Sequence, residues 1–422
     1  MRIIVYPHAM EIGGSQLNAV QLAGAVRDRG HEVIVFAEPG PLVDTVLGLG
    51  LEHVAIPERR RRPSPSVAAG LTRLVAQRSV DVVHGYEWPP AVEAFFGPRL
   101  RLGTPVVATV MSSSVVPFFP RRIPLLVGTE QLQYTARDAG HHRVNLMEPP
   151  VDTDLDRPGI GGAAFRARYA PAGDLPLVVM VCRLVPDLKR ESLLTACQAI
   201  EDLAAGDTPA QLVIVGDGPI RGEVEAAAAR ANARAGRTLV ALTGELTDPR
   251  PAYDAADIVL GMGGSALRAM AFAKPLVVVG ERGFSELLTN RTAPMFLRDG
   301  WYGLGPGSLG SGATGLARSL VPLLDRPELR TELGAFGRDL VLTRFSLRGA
   351  AENQEEEYRL AISDRLPRRQ LSGDAFRSST GVLRYKVRRK IDRWRGTAAV
   401  DDANAQPLIA ANRAADSGQV MT

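Results

Sequence analysis

Short apolar runs alternate with amphipathic stretches along most of the chain. RIIVY (2–6), EVIVF (32–36), DVVHG (81–85), PVVATV (105–110) and PLLVG (124–128) leave almost no polar face, as expected of parallel strands covered on both sides. Helical stretches lie between most of them. After the turn IGGS (12–15), Leu17, Val20, Leu22 and Val26 recur near helical spacing, and Gly30 supplies a C-terminal stop. A second series follows: LPLVVMV (175–181), QLVIVG (211–216), TLVALTG (238–244), DIVLG (257–261) and PLVVVG (275–280). The alternation predicts an α/β protein with two doubly wound parallel sheets.

EPPVDTDLDRPGIGG (148–162) interrupts this rhythm, and its prolines, aspartates and glycines read as a linker. The expected division is a first domain over 1–155 and a second over 170–343, with a helix at about 345–362 packing back on the first. Residues 365–422 form a basic tail. Val387, Ile391 and Trp394 recur in it at helical spacing, and from about 397 it turns polar, with disorder expected. Ligands of such sheets bind beyond the carboxyl ends of the strands, and two halves facing each other would enclose a cleft.

Composition narrows the class. With 422 residues, 45% hydrophobic and 23% charged, the chain is that of a soluble globular protein. Its longest apolar runs are far too short for a bilayer span. MRIIVYPHAM lacks the apolar core and cleavage site of a secretory signal. Cys182 and Cys197, the only cysteines, make no disulfide framework. The expected location is the cytoplasm. The net charge of +4 is carried almost wholly by arginine; the only lysines are Lys189, Lys274, Lys386 and Lys390. That scarcity makes each lysine more informative.

Four features converge on anion binding. Gly13-Gly14-Ser15 follows the first strand and opens a helix, where backbone amides and the helix dipole favour a phosphate. An ordinary tight turn would look the same. The motif is not G-x-G-x-x-G, so the nicotinamide fingerprint is absent, although Glu38 ends the second strand, where a ribose-binding acid would stand. CRLVPDLKRE (182–191) puts Arg183 and Lys189 on one loop leading into a helix. Two such cations can neutralise a diphosphate, or simply face solvent. GDGP (216–219) is either a turn in which Pro219 starts a helix or a device that shapes the site. In GMGGSALRAMAFAK (261–274), a capping Ser265 would put Arg268 at the third helical position. Glu or Gln is preferred there, and a cation opposes the helix dipole by roughly 0.3–1 kcal/mol. A bound anion would reverse that penalty; a side chain pointing into solvent would tolerate it.

In order and spacing these segments resemble the GT-B-fold glycosyltransferases of family 4. GGSQLNAVQLAGAVRDRGHEVIVF, CRLVPDLKRESLL, LVIVGDGP, ALTGEL and YDAADIVLGMGGSALRAMAFAKPLVVV carry the likeness over roughly residues 1–362. The resemblance implies two Rossmann-like domains. It also implies a retaining enzyme that uses a nucleotide sugar as donor, with no further cofactor and no metal. By the same resemblance Gly13, Gly14 and Ser15 lie under the donor diphosphate. Arg183 and Lys189 hold the phosphates and assist departure of the nucleoside diphosphate. Gly244, Glu245 and Leu246 meet the base, and Gly263, Gly264 and Ser265 meet the ribose or sugar.

Two departures stand out. The family's E-x7-E falls on Leu260 and Arg268, and an arginine accepts no hydrogen bond from a ribose hydroxyl. Glu281 or Glu286 is the expected substitute. The histidine the family often has after the strand PVVATV (105–110) falls on Met111, flanked by Ser112, Ser113 and Ser114. His84 is then the candidate for proton exchange, with His8 a second; a hydrogen-bonded strand-end histidine would look the same. Tyr86, Trp88 and Phe118 are candidates for contacting an acceptor that the sequence leaves unidentified. Two other readings are open: a non-catalytic binding or partner protein, motivated by Arg268, Leu260 and Met111, and a nicotinamide oxidoreductase, disfavoured by the missing fingerprint. Basic segments at Arg59–Arg62, at Arg121-Arg122 after FF, and over 383–395 suggest weak peripheral contact with the inner membrane face. No nucleic-acid recognition motif is present, and no such partner is expected.

Overall fold

A computed structural model describes residues 1–11, 13–57, 62–112, 114–206, 208–364 and 366–395. Arg59, Arg60, Arg61, Ser113 and the stretch beyond 395 that was expected to be disordered lie outside the described residues. The chain forms two compact units: Met1–Pro149 together with the chain from Leu347 onward, and Pro150–Ser346.

The first unit holds β1 (Arg2–Tyr6), β2 (Glu32–Ala37), β3 (Glu52–Ala55), β4 (Val82–Tyr86), β5 (Val106–Val110), β6 (Leu125–Val127) and β7 (Val144–Leu146). They form one parallel sheet in the order β3-β2-β1-β4-β5-β6-β7. The second unit holds β8 (Leu177–Val181), β9 (Gln211–Val215), β10 (Val240–Gly244), β11 (Ile258–Gly261), β12 (Leu276–Val279) and β13 (Ser285–Leu287). Their order is β10-β9-β8-β11-β12-β13, with only β12 and β13 antiparallel. Both sheets are doubly wound, and the order reverses between β1 and β4 and between β8 and β11.

The unbroken apolar runs are explained by cover on both faces. Ile3 and Val5 enter one core layer, Ile4 and Tyr6 the opposite one. Leu177 and Val179 separate from Val178 and Met180 in the same way. Each such side chain contributes about 1.5–3 kcal/mol on full burial. The three strands absent from the sequence reading, β3, β7 and β13, are all sheet edges of three or four residues. EHVA, VNL and SEL carry polar residues because an edge has one neighbour and an open side.

The segment read as a linker is folded onto the second unit. The Asp254 carboxylate accepts hydrogen bonds from the amides of Gly159 (2.8 Å), Ile160 (2.9 Å), Gly161 (3.1 Å) and Gly162 (2.8 Å). Val151 pairs with Ser346. The glycines there serve a backbone nest around a carboxylate. The helix Leu347–Ser363 belongs to the first unit. The basic tail forms a second long helix, Ser372–Trp394.

Candidate active site

Five loops leave the carboxyl ends of β8 to β12 at one edge of the second sheet. The first carries the two cations. Its path is fixed by backbone bonds from Cys182 N to Val215 O (3.0 Å), Leu184 N to Asp217 O (2.8 Å) and Ile220 N to Leu184 O (3.2 Å). GDGP makes this approach possible. Gly216 and Gly218 have φ of +143° and +154°. A Cβ on them would stand 1.9 Å from Cys182 O and 2.3 Å from Leu184 O. The motif therefore shapes the cation loop. Pro219 does not start the next helix, which begins at Arg221.

The helix Pro186–Ala204 is interrupted at Asp187 and Leu188, where Leu188 takes φ +66°. A non-glycine residue pays a strain cost for that conformation, and here it places Lys189 at the head of the continuous helix. Lys189 is half-buried and Arg183 is exposed. Burial pushes the Lys189 ammonium down to about 8; Arg183 adds repulsion, and Glu281 pulls the other way. The Cys182 thiol is itself pushed up to about 11 by burial, so it stays neutral. Among the described residues neither Arg183 nor Lys189 has an ion-pair partner. Two cations on one strained loop, with no ion-pair partner among the described residues, leave that loop with an excess of positive charge.

Glu191, two residues further on, accepts from the amides of Arg282 (2.8 Å) and Gly283 (2.6 Å) and so ties the loop after β12 to the cation helix. Glu281, half-buried on that loop, accepts from the Tyr302 hydroxyl at 2.6 Å. Glu286 does not serve the edge as expected. It is buried, and its two oxygens hold the amide and hydroxyl of Ser308, each at 2.7 Å. At the end of β10, the Gly244 carbonyl accepts from Gly216 N at 2.9 Å. Glu245 beyond it is exposed and Leu246 half-buried.

The turn after β11 also departs from expectation. Gly263, at φ +56°, is the N-cap of the helix Gly264–Ala271. Ser265 caps nothing; its hydroxyl bonds the amide and carbonyl of Met262 at 3.1 and 3.0 Å. Arg268 thus stands beyond the first turn, and its Nε lies 3.3 Å from Oδ2 of the buried Asp156. Burial raises the Asp156 pKa and Arg268 opposes that rise. Leu260 is enclosed in β11. The arginine that seemed misplaced at a helix start is therefore paired with an aspartate from the 150–162 segment.

In the first unit the organising group is Glu87, which the sequence reading missed. It follows β4 at φ +66° and is buried. Its Oε1 accepts from Met111 N (2.9 Å), Ser112 N (3.2 Å) and the Ser15 hydroxyl (3.1 Å). Its Oε2 accepts from the Ser112 hydroxyl (2.8 Å). One carboxylate thus joins the loops after β1, β4 and β5. Gly13 is the extended N-cap of the helix Gly14–Asp28, which has no side-chain cap. A Cβ on Gly14 would meet nothing within 4 Å, so the turn is open there. Glu87→Ala should lower the unfolding free energy by about 2–4 kcal/mol, because several buried donors lose their acceptor at once. Glu87→Gln should fall between the two. Urea unfolding measures this, and a loss below about 0.5 kcal/mol for the alanine variant would show that the junction carries little.

His84 is not available for proton exchange. It is fully buried, with Nδ1 2.8 Å from the Tyr358 hydroxyl and Nε2 2.7 Å from Thr109 Oγ1. Burial drives its pKa down to about 3 and keeps it neutral. Tyr86 is likewise enclosed, donating to Gln354 at 3.2 Å, so it faces no acceptor. Phe118 is buried and packs edge-on against the half-buried Trp88. His8 lies 3.2 Å from the Gln16 amide nitrogen, and Glu38 pairs with Arg62 at 2.7 Å.

Comparison with known proteins places both units. Residues 12–138 match the family described as Glycosyltransferase Family 4, and residues 175–301 match Glycosyl transferases group 1. Together they span more than half of the chain. A GDP-mannose-dependent alpha-(1-6)-phosphatidylinositol monomannoside mannosyltransferase of Mycobacterium tuberculosis is 28% identical over 229 residues, 49% of this chain. The match spans 58% of that relative's length. A glycosyltransferase from Rickettsia africae superposes with a TM-score of 0.69 at 14% identity, covering 86% of this chain and 99% of that one. The Anabaena protein HepE, solved with UDP, gives 0.65 at 15% identity, covering 84% and 99%.

Proposed function

We propose, for a chain that belongs to the GT-B-fold glycosyltransferases, that the second unit holds a nucleoside-diphosphate sugar and that the sugar is transferred with retention of configuration. The observation that carries this reading is the pair Arg183 and Lys189, set on a glycine-shaped loop with no ion-pair partner among the described residues. The bond between the anomeric carbon and the diphosphate oxygen breaks, and its electron pair leaves with the diphosphate. The two cations stabilise that charge as it develops, so the step needs no metal. An acceptor hydroxyl then bonds to the anomeric carbon on the face the diphosphate left. Its proton passes to the departing phosphate, since Met111 carries none and His84 is enclosed.

The other assignments follow the resemblance. Gly244, Glu245 and Leu246 meet the base. The amides of Gly263 and Gly264 and the Ser265 region face the ribose or sugar, with Glu281 in place of Glu286 as hydroxyl acceptor. Gly13, Gly14 and Ser15 keep an anion-binding role in the first unit. The Mycobacterium relative's name puts GDP first among nucleotides and a mannosylated phosphoinositide first among acceptors. Calorimetry with UDP, GDP and TDP, on wild type and Lys189→Ala, tests the donor site. Micromolar binding of one nucleotide, weakened in the variant, is expected. Silence from all three would replace the proposal with a non-catalytic binding protein.

A further inference from the structure

The helix Ser372–Trp394 is docked on one face and uncovered on the other. On the docked side the Asp374 carboxylate accepts from the amides of Arg121 (2.8 Å) and Arg122 (3.0 Å). The Arg377 guanidinium donates to Pro117 O at 2.6 Å. Gly381 lets the helix backbone meet Phe118, whose Cβ would lie 2.4 Å from an added Cβ. Tyr385 closes the contact, its ring 5.2 Å from Phe118 and 5.6 Å from Trp88. These contacts fix the rotation of the helix about its axis.

The rotation turns Phe376, Leu383, Val387, Ile391 and Trp394 outward. All five are exposed, Phe376 at 73% and Trp394 at 88%. Their spacing of seven, four, four and three residues keeps them in one stripe along the helix. Exposed cations flank it: Arg384, Arg388 and Arg395 on one side, Lys386 and Lys390 on the other. The only acids of the helix are Asp374, on the docked side, and Asp392, which lies 3.9 Å from the guanidinium of the exposed Arg388. The other basic segments of the sequence offer no such face among the described residues. Arg62 is paired with Glu38, and Phe118 and Phe119 beside Arg121 and Arg122 are buried.

We infer that this face is a membrane-docking surface whose occupant is a bilayer leaflet rich in anionic lipid. The charge pattern selects that occupant. An apolar ridge between two rows of cations sinks into the acyl boundary while the long basic side chains reach back to lipid phosphates. Trp394 stands at one end, as aromatic residues do at the headgroup level. A folded protein partner would need an acidic row on each side of an apolar groove. A nucleic acid would leave the ridge in water. No described helix is long and apolar enough to cross a membrane, so the helix lies on the surface. The surface stands whether or not the second unit binds a nucleotide.

The test uses the full chain and sedimentation with vesicles of phosphatidylcholine, alone or with about 30% phosphatidylglycerol. Wild type should pellet with the anionic vesicles and about tenfold less with the neutral ones, and added salt should release it. Leu383→Gln with Ile391→Gln, and separately Lys386→Glu with Lys390→Glu, should each cut binding about tenfold. Far-UV circular dichroism should show the helix retained in both. Fluorescence of Trp394 should be quenched by brominated lipid in wild type. Equal pelleting on neutral vesicles, or full pelleting of both variants, overturns the inference. So does a wild-type dimer that the glutamine variant dissolves, or binding to RNA in place of vesicles. Nucleotide calorimetry on the same variants should be unchanged, which separates loss of docking from loss of the donor site.

Discussion

Lys189→Ala should cut turnover by about 100- to 1,000-fold, the loss typical when one preformed charge-stabilising group leaves an active site. Folding should survive. The ammonium is half-buried and carries no ion pair among the described residues, and burial already depresses its pKa to about 8. The sign of the stability effect follows. Between that value and the ordinary lysine range the unfolded chain binds more protons than the folded one, so the fold gains stability as pH rises through this window. At neutral pH the charged lysine is a burden on the fold, and Lys189→Met should melt no lower than wild type. On the proposed donor site activity should run the other way, because only the protonated amine offsets diphosphate charge. In wild type kcat/KM, which reports the free enzyme, should fall above about pH 8. Lys189→Arg should keep activity and lose that alkaline limb. Arg183→Ala should lower turnover too, but Arg183 is exposed and its loss should leave the limb in place. A Lys189→Ala enzyme that turned over normally would falsify the electrostatic role.

The parts of this site that were legible in the sequence are those whose chemistry is local. Ten strands announce themselves because burial on two faces demands an unbroken apolar run, as in β1 and β8. The edge strands β3, β7 and β13 escape because they are only three or four residues long and carry polar side chains, whereas the edge strand β10 is longer and keeps an apolar run. Arg183 and Lys189 stand out by scarcity of lysine and by position after a strand. GDGP marks a tight turn, yet what it shapes, the path of Cys182–Leu184, is a contact between separate strands. The same holds for Glu87. Nothing local distinguishes it from any glutamate before WPP; its three loops meet only once the sheet is ordered β1-β4-β5. His84 misled for the matching reason. A histidine at a strand end reads as a site until the helix Leu347–Ser363, far along the chain, covers it with Tyr358.

Arg268→Ala should be the largest single loss of stability in the second unit, because it leaves Asp156 buried without its counter-charge. Breaking a fully buried pair costs about 3–5 kcal/mol. The guanidinium here is 28% exposed, so solvent screens part of the interaction and about 2–3 kcal/mol is expected. The pH dependence identifies the cause. Burial already raises the Asp156 pKa, and Arg268, with a smaller pull from Arg250, limits that rise. Without the arginine the folded state binds a proton that the unfolded state releases, from the ordinary aspartate range up to the new folded value. Stability of the variant therefore falls as pH rises through that window. The deficit against wild type should be greatest at pH 7 and shrink on acidification toward pH 5. Asp156→Asn combined with Arg268→Ala should recover much of the loss, since a neutral amide needs no counter-charge. Urea unfolding at the two pH values measures both effects. A deficit independent of pH would mean that Arg268 contributes by packing, and the departure from the family's carboxylate would then need a cause other than this pair.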